Sequence, residues 1–320
     1  MGGLIKQANE LVIPQIVKMM IYGQPGMGKT TVALSAPKPL LLDFDNGVKR
    51  VNMNHLEGID IVQVSEIGGW SGIQTLINTD YADLAPYQTI VVDTIGKMMH
   101  FIITHCCGTR QPLIKEWGRI NQEFTWFVRA LSALNKHVIF VAHRDSRKEG
   151  DSTVFIPSLR EKSYNSIVTE LDLLGYLEMK SERGVQNRTI TFDPTDRNDG
   201  KNTCNLPSVM SVPTILNAQA QPIAPNNFIT EKVINPYLTM LEVKAEERRK
   251  YDELVAIITE DVNNITDATS ANDFTLRIKE YKHIGSSMAK ARSLFGLKVK
   301  ELGLVYDTES KTYTDAEPAA

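Results

Sequence analysis

Gly23-Gln24-Pro25-Gly26-Met27-Gly28-Lys29-Thr30 decides how the rest of the chain is read. The octapeptide fits G-x-x-x-x-G-K-[ST], the pattern of a phosphate-binding loop, with its spacing intact. Its glycines let the backbone curl round an anion with several N–H groups pointing inward, because no Cβ stands in the way. In such a loop Lys29 reaches the β- and γ-phosphates and Thr30 puts its hydroxyl on Mg²⁺. Gly23, Gln24, Pro25, Gly26, Met27, Gly28 and Thr31 complete the cradle. A glycine-rich turn can match by chance, so the flanks matter. Residues 16–22 read as a strand entering the loop and residues 30–35 as a helix leaving it. Strand, loop, helix is the context the motif requires.

Working outward, short apolar runs alternate with helical patterns. Residues 40–45, 59–64, 89–94 and 136–143 read as strands, the apolar ones buried on both faces. Residues 71–77, 95–105 and 117–134 read as helices, the last with Ile120, Phe124, Phe127, Val128, Leu131 and Leu134 at helical spacing. The polar stretch 144–158 reads as a surface loop, and 171–192 as a hairpin turning near Arg183-Gly184. The order implies an α/β fold, a mainly parallel sheet with an antiparallel edge. Past Pro207 the pattern changes. Residues 207–227 read as a linker or extended arm, and helical patterns follow at 229–243, breaking at Pro236, at 246–263, and at 273–302, interrupted at Gly285. The expected division is therefore 1–206 as nucleotide-binding core and 207–320 as linker and mostly helical region. Residues 305–306 and 312–313 suit a small hairpin, and 315–320 a frayed tail.

Composition sets limits. The 320 residues are 42% hydrophobic and 23% charged, with a net charge of −3, so any nucleic-acid site must be a local patch. Three cysteines make no disulfide framework. That suits a reduced, cytoplasmic protein. No apolar run has the roughly 18 residues of a membrane helix, and the first residues lack a signal-peptide core or a myristoylation pattern.

Acids end several strands, the edge at which open α/β sheets bind ligands. Asp93 closes an apolar strand in the Walker B manner and is expected to orient Mg²⁺; a helix N-cap is its plainer reading. Asp43 and Asp45 end the preceding strand. Asp45 is favoured as the acid that polarises a water in line with the γ-phosphate, although Asp45-Asn46-Gly47 is also good turn chemistry. His143 ends the next strand, where a polar residue can sense the γ-phosphate. Two basic loops follow these strands: Arg110, Lys115 and Arg119 in one, Arg144, Arg147, Lys148, Arg160 and Lys162 in the other. Their bland reading is a solvated surface; the functional one is single-stranded DNA, with Phe155 and Tyr164 stacking on bases. His100, His105, Cys106 and Cys107 match no zinc spacing.

Together these elements resemble the RecA-core P-loop ATPases of phages, and more narrowly the recombination ATPases of the fourth Sak type, which are grouped with single-strand annealing proteins. The resemblance rests on Tyr22 to Thr30, Leu41-Leu42-Asp43-Phe44-Asp45-Asn46-Gly47, Ile90-Val91-Val92-Asp93-Thr94 and Phe140-Val141-Ala142-His143-Arg144. It also uses Leu173-Leu174-Gly175-Tyr176-Leu177 and residues 193–201, and covers about 15–207. It implies ATP and Mg²⁺ as cofactors, with Lys29, Asp45 and His143 as catalytic groups. It implies single-stranded DNA contacts in the two basic loops and a homo-oligomeric ring or filament. Arg197 and Lys201 would reach the neighbour's ATP, and a phage single-strand-binding or annealing protein would be a partner. The family usually has Glu where Asp45 stands and Gln where His143 stands, which implies slow, DNA-stimulated hydrolysis. A P-loop nucleoside or nucleotide kinase and an ATPase helicase loader or adaptor are the alternatives.

Overall fold

The structure, a computed structural model, describes residues 14–182 and 185–315. The turn at Arg183-Gly184, the first residues and the tail beyond 315 lie outside them.

The chain divides into two compact units, one from Pro14 to Leu238 and one from Thr239 onward. The first is built on a mixed sheet. β1 (Lys18–Gly23) leads through the phosphate loop to α1 (Lys29–Ala33), followed by β2 (Pro39–Asp43), β3 (Asp60–Gln63) and α2 (Trp70–Asn78). Next come β4 (Thr89–Asp93), α3 (Ile95–Cys107), α4 (Trp117–Ala133) and β5 (His137–Glu149). β6 (Ser152–Pro157), α5 (Glu161–Glu170), β7 (Leu173–Glu182), β8 (Val185–Thr191), β9 (Lys201–Asn202) and β10 (Val209–Val212) complete the unit. The sheet runs β10-β8-β7-β1-β5-β4-β2-β3. The strands from β7 to β3 are parallel, and β8 and β10 add an antiparallel edge. This is the mainly parallel α/β sheet that the apolar runs imply.

Alternating side chains feed two cores. Met20, Tyr22, Leu42 and Phe140 pack on one face with Trp70, Ile102, Phe124 and Phe127 of α2, α3 and α4. Met19, Ile21, Leu177 and Ile190 pack on the other with Val32 and Ala33 of α1. Phe228, Ile229, Val233 and Ile234 join that second core. Residues 207–238, expected as linker and the start of the helical region, are therefore part of the first unit. β10 extends the sheet, Asn226 donates to the Thr31 carbonyl at 2.8 Å, and Ile229 N–H donates to Ser35 Oγ at 2.8 Å.

Other expectations are corrected as well. The stretch 144–158 is not a loop: β5 runs on to Glu149 and pairs antiparallel with β6 from Arg144↔Pro157 to Glu149↔Ser152. The patterns 229–243 and 246–263 form one helix, α6 (Asn235–Asn263), after a π-turn at Thr230–Ile234. Pro236 does not break it: residues 228–263 are helical throughout, and the π-turn just before the proline is where the i−4 ladder is already interrupted. The pattern 273–302 is interrupted at Gly285 as expected, with α7 (Ala268–Arg277) and α8 (Ser287–Glu301) on either side and φ +53° at the glycine, but α7 begins earlier, at Ala268. The second unit has its own small core, in which Phe274 stacks on Phe295 at 5.2 Å. The terminal hairpin forms as β11 (Val305–Asp307) and β12 (Thr312–Thr314). Among the described residues no helix is long and apolar enough to cross a membrane.

Candidate functional site

β1 ends where the sheet is tightest. Gly23 lies between His143 of β5 and Leu177 of β7, and a Cβ on it would come within 2.3 Å of the Leu177 carbonyl oxygen. Gly26 and Gly28 have φ of +80° and +79°, a left-handed backbone that glycine adopts without penalty. Lys29 then opens α1. Its buried ammonium donates to the carbonyls of Gly23 (3.0 Å) and Gln24 (2.7 Å), and burial lowers its pKa against the pull of Asp93 and Asp45. The charge rests on neutral acceptors within its own loop, which an arriving phosphate would replace.

Thr30 Oγ1 donates to Asp93 Oδ2 at 2.5 Å. Asp93 is 7% exposed, and burial pushes its carboxyl up to about 6 while the Thr30 hydrogen bond holds it down. A buried carboxylate beside a hydroxyl is a hard oxygen pair, suited to a Mg²⁺ that keeps most of its waters.

The two acids at the end of β2 separate by partner. Asp43 is buried and accepts from the backbone N–H of Asp45 (3.2 Å), Gly47 (3.0 Å) and Val48 (3.2 Å), so it holds the turn. Asp45 lines the cavity above the loop, 3.4 Å from Arg50 Nη1. That cavity of about 420 Å³ is also lined by Lys29, Thr30, Thr31, Asp93 and His143. His143 can sit there because β5 lies between β1 and β4 in the sheet. Burial first, then the Lys29 charge, lowers its pKa, so the imidazole is neutral near pH 7. Its Nδ1 is buried without a partner.

A second cavity, about 450 Å³, adjoins the first and shares His143 and Thr94 with it. Lys97, Asp145 and Arg160 bring charge to its walls, His100 a polar ring, and Met99, Ile103 and Leu159 apolar surface.

The basic loops are more engaged than their composition suggests. Arg110 forms a bidentate pair with Glu116, and Arg147 pairs with Glu149 and Asp199. Arg144 lies over the Phe155 ring at 3.9 Å and donates to Tyr176 Oη at 2.9 Å. Arg160 covers the Trp117 ring at 3.3 Å. Lys115 and Lys148 are exposed. The expected base-stacking residues are used internally: Phe155 stacks on Tyr176, and Tyr164 donates to Asp199 at 2.6 Å. Lys201 caps the end of α5 by donating to Val168 and Thr169 carbonyls, so its ammonium does not project from the surface. Arg197 is exposed and lies 3.7 Å from Glu178. Arg50, on the cavity wall, and Arg188, packed against Gly28, were not singled out from sequence. No motif marks either one; only the turn held by Asp43 and the pairing of β7 with β8 bring them to the loop.

The family described as AAA domain matches residues 16–204. An SPbeta prophage-derived uncharacterized protein of Bacillus subtilis, YorG, is 25% identical over 175 residues, covering 52% of this chain and 50% of YorG. The chain thus spans about half the length of that relative. Similar solved structures include a KaiC-like protein from Pyrococcus horikoshii, at 12% identity over 55% of this chain and 77% of that one, with TM-score 0.33. The flagellar accessory protein FlaH from Methanocaldococcus jannaschii matches at 12% identity over 62% and 85% of the two chains, with TM-score 0.36.

Proposed function

We propose, from the premise that the chain belongs to the AAA domain family of P-loop ATPases, that it is an ATP-hydrolysing protein whose grip on single-stranded DNA is switched by the nucleotide. The observation that carries the reading is the pair of adjoining cavities with His143 and Thr94 in their common wall. One has the phosphate loop at its base. The other opens beside α3 and the β5–β6 hairpin, with Lys97 and Arg160 available to a phosphodiester. A prophage-derived relative supports a phage setting in recombination or replication.

In this reading Lys29 exchanges its two carbonyl partners for the β- and γ-phosphates. Thr30 and Asp93 would hold Mg²⁺, which supplies charge neutralisation at those phosphates. Asp45 accepts the proton of the attacking water, and its short side chain fits slow turnover. His143, being neutral, donates one hydrogen bond to the γ-phosphate, and its position on β5 carries that contact into the hairpin. Hydrolysis removes it and DNA is released. ATP sits between subunits of a ring or filament, where exposed Arg197 is the remaining candidate to reach a neighbour.

The second cavity is also where a kinase would hold an acceptor, so the test must separate the two. ATP turnover by the full chain, assayed with Mg²⁺ and with or without single-stranded DNA, should be slow alone and rise with DNA, releasing phosphate to water. Phosphate transfer to a nucleoside or nucleotide, indifferent to DNA, would overturn the proposal in favour of a kinase.

A further inference from the structure

Arg188 is a half-buried cation that no acid pairs with among the described residues. It stands on β8 opposite Met179 of β7 and Val212 of β10, so it shares the sheet face that packs on α1. That register carries its guanidinium over the phosphate loop. The guanidinium carbon and Nη1 lie 3.3 Å, and Nη2 3.5 Å, from the point that a Cβ on Gly28 would occupy. Nε is buried with no hydrogen-bond partner. Among the described residues no carboxylate pairs with it, unlike Arg110, Arg147 and Arg197, each of which has an acid within reach. Burial unopposed by any acid lowers its pKa.

A guanidinium taken from water without a partner is costly, and guanidinium is the side-chain cation best matched to phosphate. The structure holds this one against the backbone of Gly28, part of the loop whose N–H groups cradle the α- and β-phosphates in sites of this type. We propose that Arg188 is a second nucleotide-binding cation, contributed by the same subunit, whose missing counter-charge is the α/β-phosphate region of the bound nucleotide. This rests on the reading of the loop as a nucleotide site. It divides the work: Lys29 serves the β- and γ-phosphates, and Arg188 the inner pair. ADP therefore depends on Arg188 as strongly as ATP does.

Calorimetric titration of the full chain with ATP and with ADP, in Mg²⁺, tests it using wild type, Lys29→Ala, Arg188→Met and Arg188→Lys. Arg188→Met keeps the length and apolar stem but removes the charge. It should weaken ATP and ADP alike by about tenfold or more, as loss of one charge-assisted phosphate contact implies. Arg188→Lys should fall between it and wild type. The melting temperature of nucleotide-free Arg188→Met should equal or exceed that of wild type, because a half-buried charge with no paired acid has gone. Affinity and stability would then move in different directions, which a purely structural role cannot produce. Arg188→Gln, also uncharged, serves if Arg188→Met does not fold. Nucleotide affinity within twofold of wild type in either uncharged variant overturns the proposal, and so does a parallel fall in affinity and nucleotide-free stability. If wild type itself bound neither nucleotide, the underlying reading of the loop would fail instead.

Discussion

At the scale of single residues, the site separates groups of like chemistry by what they already hold. Asp43 and Asp45 are two residues apart, yet Asp43 accepts three backbone N–H groups and Asp45 faces the cavity with Arg50 beside it. Asp45→Asn should therefore leave nucleotide affinity near wild type while lowering turnover by about a hundredfold or more, the usual range for a lost general base. Phosphate release at saturating ATP checks this. Lys29→Ala removes a charged donor from the phosphates and should weaken ATP by about 10- to 100-fold, read by the same titrations. The motif made Lys29, Thr30 and the glycines legible from sequence, because their spacing is local. That Gly23 cannot carry a Cβ was not legible, since the obstacle is Leu177 on β7, more than a hundred residues away. Arg50 and Arg188 were hidden for a similar reason.

At the scale of elements, the strand that feeds the loop is tied to the hairpin expected to act on DNA. Tyr22, fully buried on β1, donates to the carbonyls of Asp199 (2.6 Å) and Phe155 (3.0 Å), and Phe155 belongs to β6. Tyr22→Phe removes one shared proton, while Asp199 N–H still reaches the Phe155 carbonyl and Asn198 Nδ2 the Asp199 carbonyl, and should cost about 0.5–1.5 kcal/mol, measured by chemical denaturation. β5 carries a second dependence. His137 accepts the Val17 N–H on Nδ1 at 3.0 Å, so it must stay neutral, and burial lowers its pKa. His55 and His143 are lowered by burial as well. Unfolded histidines take up protons below about pH 6.5 while these three resist. Their contribution to stability is thus present above that pH and lost as pH falls through it. Melting temperature should drop between pH 7 and pH 5, less the opposing gain from Asp93, whose carboxyl is raised to about 6. His137→Asn, which retains an acceptor but cannot titrate, should reduce the drop. Strands with continuous apolar runs were readable from sequence. The β5–β6 hairpin was not: charged residues from Arg144 to Asp151 resemble a solvated loop, and pairing with β6 is what orders them. The interruption at Gly285 was readable because glycine breaks a helical pattern, whereas the start of α7 at Ala268 was not.

At the scale of the whole molecule, a net charge of −3 rules out a generally basic surface, so DNA affinity must come from a few placed cations. Arg110, Arg144 and Arg147 are held by internal partners, while Lys115, Arg119, Lys148 and Lys162 are exposed and Lys97 and Arg160 line the second cavity, within reach of a phosphodiester. The switch requires that nucleotide change how these are presented. The most direct measurement is binding of single-stranded DNA by the full chain over a series of salt concentrations, with ATP–Mg²⁺ and without nucleotide. Lys29→Ala is carried alongside. Binding should be tight only with ATP–Mg²⁺, should fall with salt at a log–log slope of about −2 or steeper, and should stay at the nucleotide-free level in Lys29→Ala. Equal binding with and without ATP–Mg²⁺, unchanged in Lys29→Ala, would contradict a nucleotide-switched grip on DNA.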